Sequence, residues 1–276
     1  MAENEARTRM TQDCRHDMEL LFFKLVATPL LLLAATLAGR RWGETVGGLV
    51  VGLPLTSGPI SLFLALEQGP EFATNATSGS LCATAAQACF AVAWCRSASA
   101  GWGKALLAAT VAFAISAGLL EHSTLSQSAL FIIDILVMAL ALMFIPKITV
   151  RSSKLRIPRW DLPVRILLIA ALVVAVTLLA PFVGAGVSGI LAAFPLMATI
   201  LAVFAQRNHG PHAAQQVMRG MVGGSFSFAV FFWSLSLLLP RFSLLMAYSI
   251  AVALALLVQS ISVVRMQRPS ANTLTH

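Results

Sequence analysis

The chain has 276 residues, of which 58% are hydrophobic and only 11% are charged. Soluble domains carry about 25% charged residues, so this composition excludes an ordinary soluble domain and favours a membrane protein. The net charge of +8 does not indicate nucleic-acid binding, because the basic residues lie in short clusters between apolar segments.

The apolar segments predict an all-α, polytopic bundle of about nine membrane helices, since about 20 apolar residues in a helix span a bilayer. A polar N-terminal tail, residues 1–19, comes first; its five acidic residues are unlike the short basic start of a cleavable signal. A polar C-terminal tail covers residues 265–276. The predicted helices, in chain order, cover residues 20–38, 46–66, 74–95, 104–120, 127–146, 163–181, 186–206, 213–238 and 243–264.

The two halves of the sequence align without a gap when one is shifted by 141 residues. Six glycine and proline residues of the first half then coincide with the same residue type in the second. Such fixed-period similarity is typical of an internal repeat. The matched residues are Gly43 with Gly184, Gly48 with Gly189, Pro54 with Pro195, Gly69-Pro70 with Gly210-Pro211, Gly79 with Gly220, and also Phe90 with Phe231.

The alignment pairs the first four predicted helices with the last four and leaves the fifth without a partner. Four-helix repeats at 20–122 and 161–264 therefore flank a linking helix and a basic cytoplasmic loop at 123–160. Because the fifth helix adds one crossing, the sequence predicts a 4+1+4 inverted-topology repeat. Many secondary transporters have this organisation, with the binding site where the repeats meet near the bilayer midplane. A duplication that only enlarged a membrane bundle is the alternative.

The basic residues predict which side of the membrane each loop faces. With the N-terminus outside and the C-terminus cytoplasmic, twelve of the nineteen lysines and arginines lie on the cytoplasmic side, in agreement with the positive-inside rule. The predicted location is a cell membrane, which the chain crosses several times. Four tryptophans stand near basic residues and are expected in the headgroup region: Trp42, Trp94, Trp102 and Trp160.

Glycine and proline interrupt the second and seventh predicted helices at matching places. The second reads VGGLVVGLPLTSGPI over residues 46–60, and the seventh holds Gly186, Gly189 and Pro195. Proline removes a backbone donor, so the freed carbonyls need a partner from protein, water or ligand. Paired interruptions of this kind are the best sequence pointer to a transporter site, although a packing kink is the alternative. The candidate substrate-binding residues are Pro54, Thr56, Ser57 and Pro195.

Three charged residues inside predicted helices are candidates for ion coupling or charge balance. Asp134 is the acid well inside an apolar segment, where a carboxylate is costly unless it has a partner. It is either a proton-coupling group or counter-ion, or an acid that reaches the interface from about two turns into its helix. Lys24 and Arg165 come early in the first helix of each repeat, and they either extend to the headgroups or face an internal cavity.

The sequence carries no motif typical of an enzyme or a metal site. It holds no GxSxG, P-loop or HExxH pattern, and its four cysteines, Cys14, Cys82, Cys89 and Cys95, include no CxxC pair. We therefore expect no catalytic residue, no metal and no cofactor. The expected partners are the lipid bilayer and an unidentified small solute, and the sequence does not indicate an oligomeric state.

The stretch SGILAAFPLMAT at residues 188–199, continued to Gly210, resembles the GlpM-like family of small bacterial inner-membrane proteins. That family's pattern has a glycine shortly before Phe-Pro, an apolar helix, a glycine-bearing turn and another membrane helix. Here these are Gly189, Phe194-Pro195 and Gly210. The resemblance covers roughly residues 165–265, and in the first half Leu53-Pro54 replaces Phe-Pro. It implies a bacterial inner membrane and gives no substrate or catalytic residue.

Together these features predict a secondary transporter or permease of a small solute, with proton coupling as one option. Its site would lie near the midplane, at the second and seventh predicted helices. A non-transporting scaffold or accessory subunit of a cell-envelope pathway is the alternative, and a channel is a third. The step from inverted repeat to transporter is an analogy of architecture.

Overall fold

The computed structural model describes Pro54 and residues 57–123, 125–146 and 161–267. The regular elements in this part of the chain are all helices, which confirms the predicted all-α class. A short 3₁₀ helix, Ala98–Ala100, follows the second of them. The α-helices are α1 Ser57–Glu67, α2 Pro70–Ser97, α3 Trp102–Glu121, α4 Gln127–Phe144, α5 Asp161–Ala192, α6 Leu196–His209, α7 Pro211–Leu238 and α8 Leu244–Gln267.

Within the described residues, five helices are long and apolar enough to cross a membrane. A sixth span results if Leu178–Ala192 and Leu196–His209, bent by 42°, are counted together. These helices indicate a membrane-embedded protein. The first predicted helix, residues 20–38, lies outside the described residues, so nine spans stay a prediction. The five helices are Pro70–Ala100, Trp102–Glu121, Gln127–Phe144, Pro211–Leu238 and Leu244–Ser262.

The bundle exposes large apolar side chains and buries polar ones. A row of residues on α3 at four-residue spacing is 47–71% exposed: Leu107, Val111, Ile115 and Leu119. In contrast, Ser80, Thr84 and Gln87 of α2 are at most 5% exposed. This distribution suits a lipid environment, where acyl chains cover the outside and polar groups satisfy one another inside.

The centre of the bundle is formed by α2 and α7, which pack against each other. α2 also packs against α3, α4 and α5, and α7 packs against α4, α6 and α8. Both central helices are rich in alanine, glycine and serine, which lets their backbones approach neighbouring helices closely. Large aromatic side chains fill the remaining space, among them Phe90 of α2 and Phe231 of α7.

The two central helices have matching bounds. Each is 28 residues long and begins with proline, and shifting the bounds of α2 by 141 residues gives those of α7. Gly69 and Gly210 precede them with φ of 92° and 85° and extended ψ, a backbone conformation restricted almost entirely to glycine. α7 is one uninterrupted helix. The local agreement supports the predicted duplication, while the inverted topology stays a prediction.

α5 contains two helical segments. The backbone at Gly184 is non-helical, with φ 82° and ψ 171°, and two helices meet there. We refer to residues 161–183 as α5a and to residues 185–192 as α5b. The boundary falls between the predicted sixth and seventh helices, at the glycine that the repeat matches with Gly43.

Candidate functional site

The interruption predicted at Pro195 is a break between α5b and α6. α5b ends at Ala192 and α6 begins at Leu196, so residues 193–195 are not helical. Pro195 has no N–H to donate to the preceding turn, which explains why the helix stops before it. Its carbonyl instead starts α6, because it accepts the Thr199 amide at 2.9 Å and the Thr199 hydroxyl at 2.8 Å.

A side chain from α2 binds the Ala193 carbonyl at this break. The Nε2 of Gln87 donates to that carbonyl at 2.8 Å. The Oε1 of Gln87 lies 3.0 Å from the hydroxyl of Ser225 on α7. Ser225 can donate its single proton either there or to the Met221 carbonyl at 2.9 Å. One buried amide therefore connects both central helices to the broken helix.

At Pro54, the other predicted interruption, the structure repeats one hydrogen bond of the break at Pro195. The Pro54 carbonyl accepts the amide of Gly58 at 2.8 Å, which is the counterpart of the Pro195–Thr199 bond under the shift of 141 residues. Pro54 is half-buried, and Ser57, the first residue of α1, is 2% exposed. Thr56 lies outside the described residues.

A matched phenylalanine from each central helix packs beside the interruption of the other half. The ring of Phe90 on α2 lies edge-on to Phe194, with centroids 6.1 Å apart. The ring of Phe231 on α7 lies beside Gly58, where an added Cβ would be 3.7 Å from it. Since the repeat matches Phe90 with Phe231, the two halves interlock in related ways.

The helix that follows Pro54, α1, packs beside the break at Pro195. An apolar cluster joins α1 to both sides of the break, and the start of α6 packs against it. The sequence prediction that the second and seventh helices meet is consistent with this arrangement. The cluster contains Ile60, Phe63 and Leu64 of α1 with Ala192, and Leu196 and Met197 pack against it.

Asp134 lies near the middle of α4, which packs against both α2 and α7. It is 1% exposed, and its Oδ2 has no hydrogen-bond partner within the part of the chain that is described. This burial argues against the interpretation in which the carboxylate reaches the interface. A buried carboxyl group with an unused oxygen can bind a proton or a cation.

Of the cations inside helices, the structure describes the side chain of Arg219 but not those of Lys24 and Arg165. Lys24 lies outside the described residues, and so does the side chain of Arg165, whose backbone belongs to α5a. Arg219 of α7 donates to the carbonyls of Leu142 and Ile145, at 2.8 and 2.6 Å. A cation suits the C-terminal end of α4, because the carbonyls there carry partial negative charge.

A second polar network surrounds the C-terminal end of α2. The indole of Trp94 donates to Gln206 of α6 at 3.0 Å, and the Gln206 amide donates to the Ala98 carbonyl at 2.7 Å. Gln215 of α7 donates to the Cys95 carbonyl at 3.1 Å. These side chains supply donors to carbonyls at the end of the helix, where backbone partners run out; the Ala98 carbonyl also accepts the Gly101 amide at 3.2 Å.

This network corrects one expectation about the tryptophans. Trp94 is fully buried in the bundle, so its ring packs against protein and is not exposed to lipid headgroups. Trp102 is 42% exposed, and the guanidinium of Arg207 lies 5.9 Å from its ring centroid, as expected for an interfacial tryptophan. Trp42 and Trp160 lie outside the described residues.

Gln87 and Ser225 were not among the sequence candidates, although a signal for them exists. Ser80, Thr84 and Gln87 recur at helical spacing and therefore share one face of α2. A polar face on a membrane helix points to the protein interior. The repeat also matches Thr84 with Ser225, so both central helices carry a hydroxyl at this place.

Comparisons with protein-family models, with curated proteins and with solved structures find no match for this chain. The resemblance to the GlpM-like family therefore stays a prediction. The fold and the geometry of the break are the basis on which a function can be inferred.

Proposed function

We propose that the protein is a secondary transporter or permease of a small solute, with its binding site at the interruptions around Pro54 and Pro195. The observation that carries the proposal is the break between α5b and α6, where the Ala193 carbonyl meets Gln87. Non-helical backbone at membrane depth is tolerated only where protein covers it or where it lines a cavity. In transporters built from repeats, such broken helices mark the binding site.

The groups around the break suit an uncharged or zwitterionic solute with hydrogen-bond donors and acceptors. Gln87 offers an amide, Ser225 a hydroxyl and Ala193 a backbone carbonyl. The Ser225 hydroxyl has two alternative acceptors, Gln87 and the Met221 carbonyl. When a solute binds Gln87, Ser225 can therefore still donate to the Met221 carbonyl. Exchange of internal hydrogen bonds for solute bonds keeps every buried polar group satisfied, which lowers the cost of opening the site.

The bundle is proposed to lie in a bacterial inner membrane as a 4+1+4 inverted repeat, with the N-terminus outside and the C-terminus cytoplasmic. The matching bounds of α2 and α7 support the duplication. An odd number of spans puts the two termini on opposite faces. Tags on each terminus, tested for protease access in oriented vesicles, check this; two tags digested from the same side contradict nine spans.

Cysteines placed at the interruptions test transport. In a variant without the native cysteines, Ser57→Cys and Thr199→Cys are expected to react with a membrane-impermeant maleimide from alternating sides, so that trapping one state reduces labelling from the other side. A scaffold or accessory subunit leaves both cysteines unlabelled, and a channel admits reagent from both sides at once. Ile115→Cys, at a position 58% exposed on the apolar surface, is the control that lipid shields from the reagent.

Asp134 is proposed as the proton-coupling group. Asp134→Asn keeps the size of the side chain and removes its ability to exchange a proton. We expect the variant to insert and fold but to lose solute accumulation, measured by an untargeted uptake screen in cells that carry wild type, variant or neither. Full accumulation in the variant removes Asp134 from the mechanism.

A further inference from the structure

One end of the bundle brings together the ends of four helices. The hydrogen bonds of Trp94, Gln206 and Gln215 hold the end of α6 and the start of α7 against the C-terminal end of α2. α3 begins at Trp102, directly after the 3₁₀ helix that follows α2. We call this region the basic end of the bundle and define it as residues 94–107 and 206–215.

The charged side chains of the basic end are all positive. Arg96, Lys104 and Arg207 are exposed there, and the exposed His209 and His212 add positive charge when they are protonated. Neither of the two segments contains Asp or Glu. Because a surface of one sign attracts partners of the opposite sign, the basic end suits an anion that comes from outside these segments.

The opposite end of the bundle has a different charge pattern. α1 ends at Glu67, Glu71 lies in the first turn of α2, and α3 ends at Glu121. Arg241, which follows α7, is a basic residue among these acids. The concentration of positive charge at the basic end is therefore local, and the net charge of the whole chain does not explain it.

Arg207 and Trp102 form a contact between α6 and α3 at the basic end. The guanidinium carbon of Arg207 lies 5.9 Å from the centroid of the Trp102 ring, within the range of a cation–π interaction. This contact restrains the guanidinium, whose N–H groups can bind two oxygens of a phosphate at once. Tryptophan favours the headgroup region of a bilayer, so the pair is expected at the depth of the lipid phosphates.

The exposed apolar row of α3 begins close to this pair. Leu107 and Val111 are the first members of the row, and they follow Trp102 within three turns of the same helix. Lipid chains are expected to cover this row, as on the rest of the apolar surface. A phospholipid bound at Arg207 by its phosphate therefore has an apolar surface for its acyl chains, whereas a free anion gains nothing from that surface.

We propose that the basic end binds the phosphate of an anionic phospholipid, with Arg207 and Lys104 as its ligands and the acyl chains over the exposed row of α3. Trp102 positions the Arg207 guanidinium. Basic pockets between membrane helices are known to bind acidic lipid headgroups in this way. The inference depends on the membrane location of the bundle and not on the proposed transport function.

Native mass spectrometry of the full chain in detergent tests the proposal. The probe is an equimolar mixture of phosphatidylglycerol and phosphatidylcholine with the same acyl chains, and wild type is expected to retain phosphatidylglycerol preferentially. Arg207→Gln should lower the ratio of the two bound lipids about fivefold, the effect of one basic residue near an anionic surface. Lys104→Gln should lower it in the same direction. Arg241→Gln, an exposed arginine at the opposite end, should keep the wild-type ratio.

Equal retention of the two lipids by wild type overturns the proposal, and so does a wild-type ratio in Arg207→Gln. An equal decrease in Arg241→Gln would mean that only the overall charge attracts the lipid. Displacement of phosphatidylglycerol by an excess of inorganic phosphate would assign the site to a free anion.

Trp102→Leu tests the positioning of the guanidinium, because it keeps every charge and removes the ring beside Arg207. We expect a lower ratio of bound phosphatidylglycerol at an unchanged unfolding temperature, and a wild-type ratio contradicts a role for Trp102. If Arg207→Gln does not fold, Lys104→Gln decides, since its exposed side chain can be changed without loss of packing. A wild-type ratio in that variant then contradicts the site.

Discussion

The two central helices share their bounds but differ in chemistry. Where α2 has Gln87, the repeat places Phe228 on α7, while Thr84 and Ser225 both keep a hydroxyl. The amide that binds the broken helix therefore comes from the first half alone, and the Ala193 carbonyl that it binds comes from the second. The bounds of the two central helices are repeated, but the glutamine that binds the break is not. This difference is expected if the two halves diverged in their polar side chains after a duplication.

The strictest part of this arrangement is the approach of α5b to α2. A Cβ on Gly79 would overlap the Gly186 carbonyl, and one on Gly189 would overlap the Ala76 carbonyl. Because both obstacles are backbone atoms, Gly79→Ala must push the helices apart. We expect the largest effect here, a loss of about 2–3 kcal/mol in the free energy of unfolding, measured by thermal unfolding in detergent.

Gly118→Ala is the matched control for that variant. Gly118 also lies inside a helix, α3, but among the described residues no atom beyond its chain neighbours and its own helix backbone lies within 4 Å of the place its Cβ would take. Alanine favours the helix over glycine by about 0.5–1 kcal/mol, so this variant should be as stable as wild type or more so. Equal losses in both variants would contradict a special role for the contact between α2 and α5b.

Gln87→Leu tests the asymmetry between the halves. The Ala193 carbonyl loses its donor and Ser225 loses one of two acceptors, while the volume of the side chain changes little. We expect a loss of about 1–3 kcal/mol, together with faster hydrogen exchange in residues 193–199. Thermal unfolding and exchange mass spectrometry measure the two effects.

Gln127→Leu provides the comparison for Gln87→Leu. Gln127 donates to the Thr74 carbonyl at 3.4 Å in a partly buried place, a much weaker hydrogen bond. We expect a change within about 0.5 kcal/mol. If both glutamine variants lose the same stability, the amide at the break has no special importance.

Much of the helix layout could be predicted because its signals are local. The fifth predicted helix, 127–146, is α4 at Gln127–Phe144, and the eighth, 213–238, is α7 at Pro211–Leu238. The break before Pro195 also follows locally, since proline lacks the donor that would continue the helix. Helix ends differ by a few residues where glycine and proline, rather than hydrophobicity, set them.

The partners of the polar side chains could not be predicted in the same way. Gln87 bonds to a carbonyl 106 residues away, and Trp94 to a side chain 112 residues away. Such pairs depend on which helices are neighbours and on their rotation, which a periodic pattern in one helix does not specify. The position of Trp94 beside a basic residue therefore suggested an interface, whereas packing against α6 placed it in the core.

The smallest expected effect concerns a hydrogen bond that the repeat does not duplicate. The hydroxyls of Ser61 on α1 and Tyr248 on α8 lie 2.8 Å apart, whereas the matched positions hold Ala202 and Leu107. Tyr248→Phe should lower the free energy of unfolding by about 0.6 kcal/mol, the average for hydrogen bonds between membrane helices. In a double-mutant cycle, Ser61→Ala should cause almost no further loss of stability in the Tyr248→Phe variant, because Tyr248→Phe has already removed the hydrogen bond. Fully additive losses would mean that the two hydroxyls do not stabilise each other, and that the contact between α1 and α8 depends on packing alone.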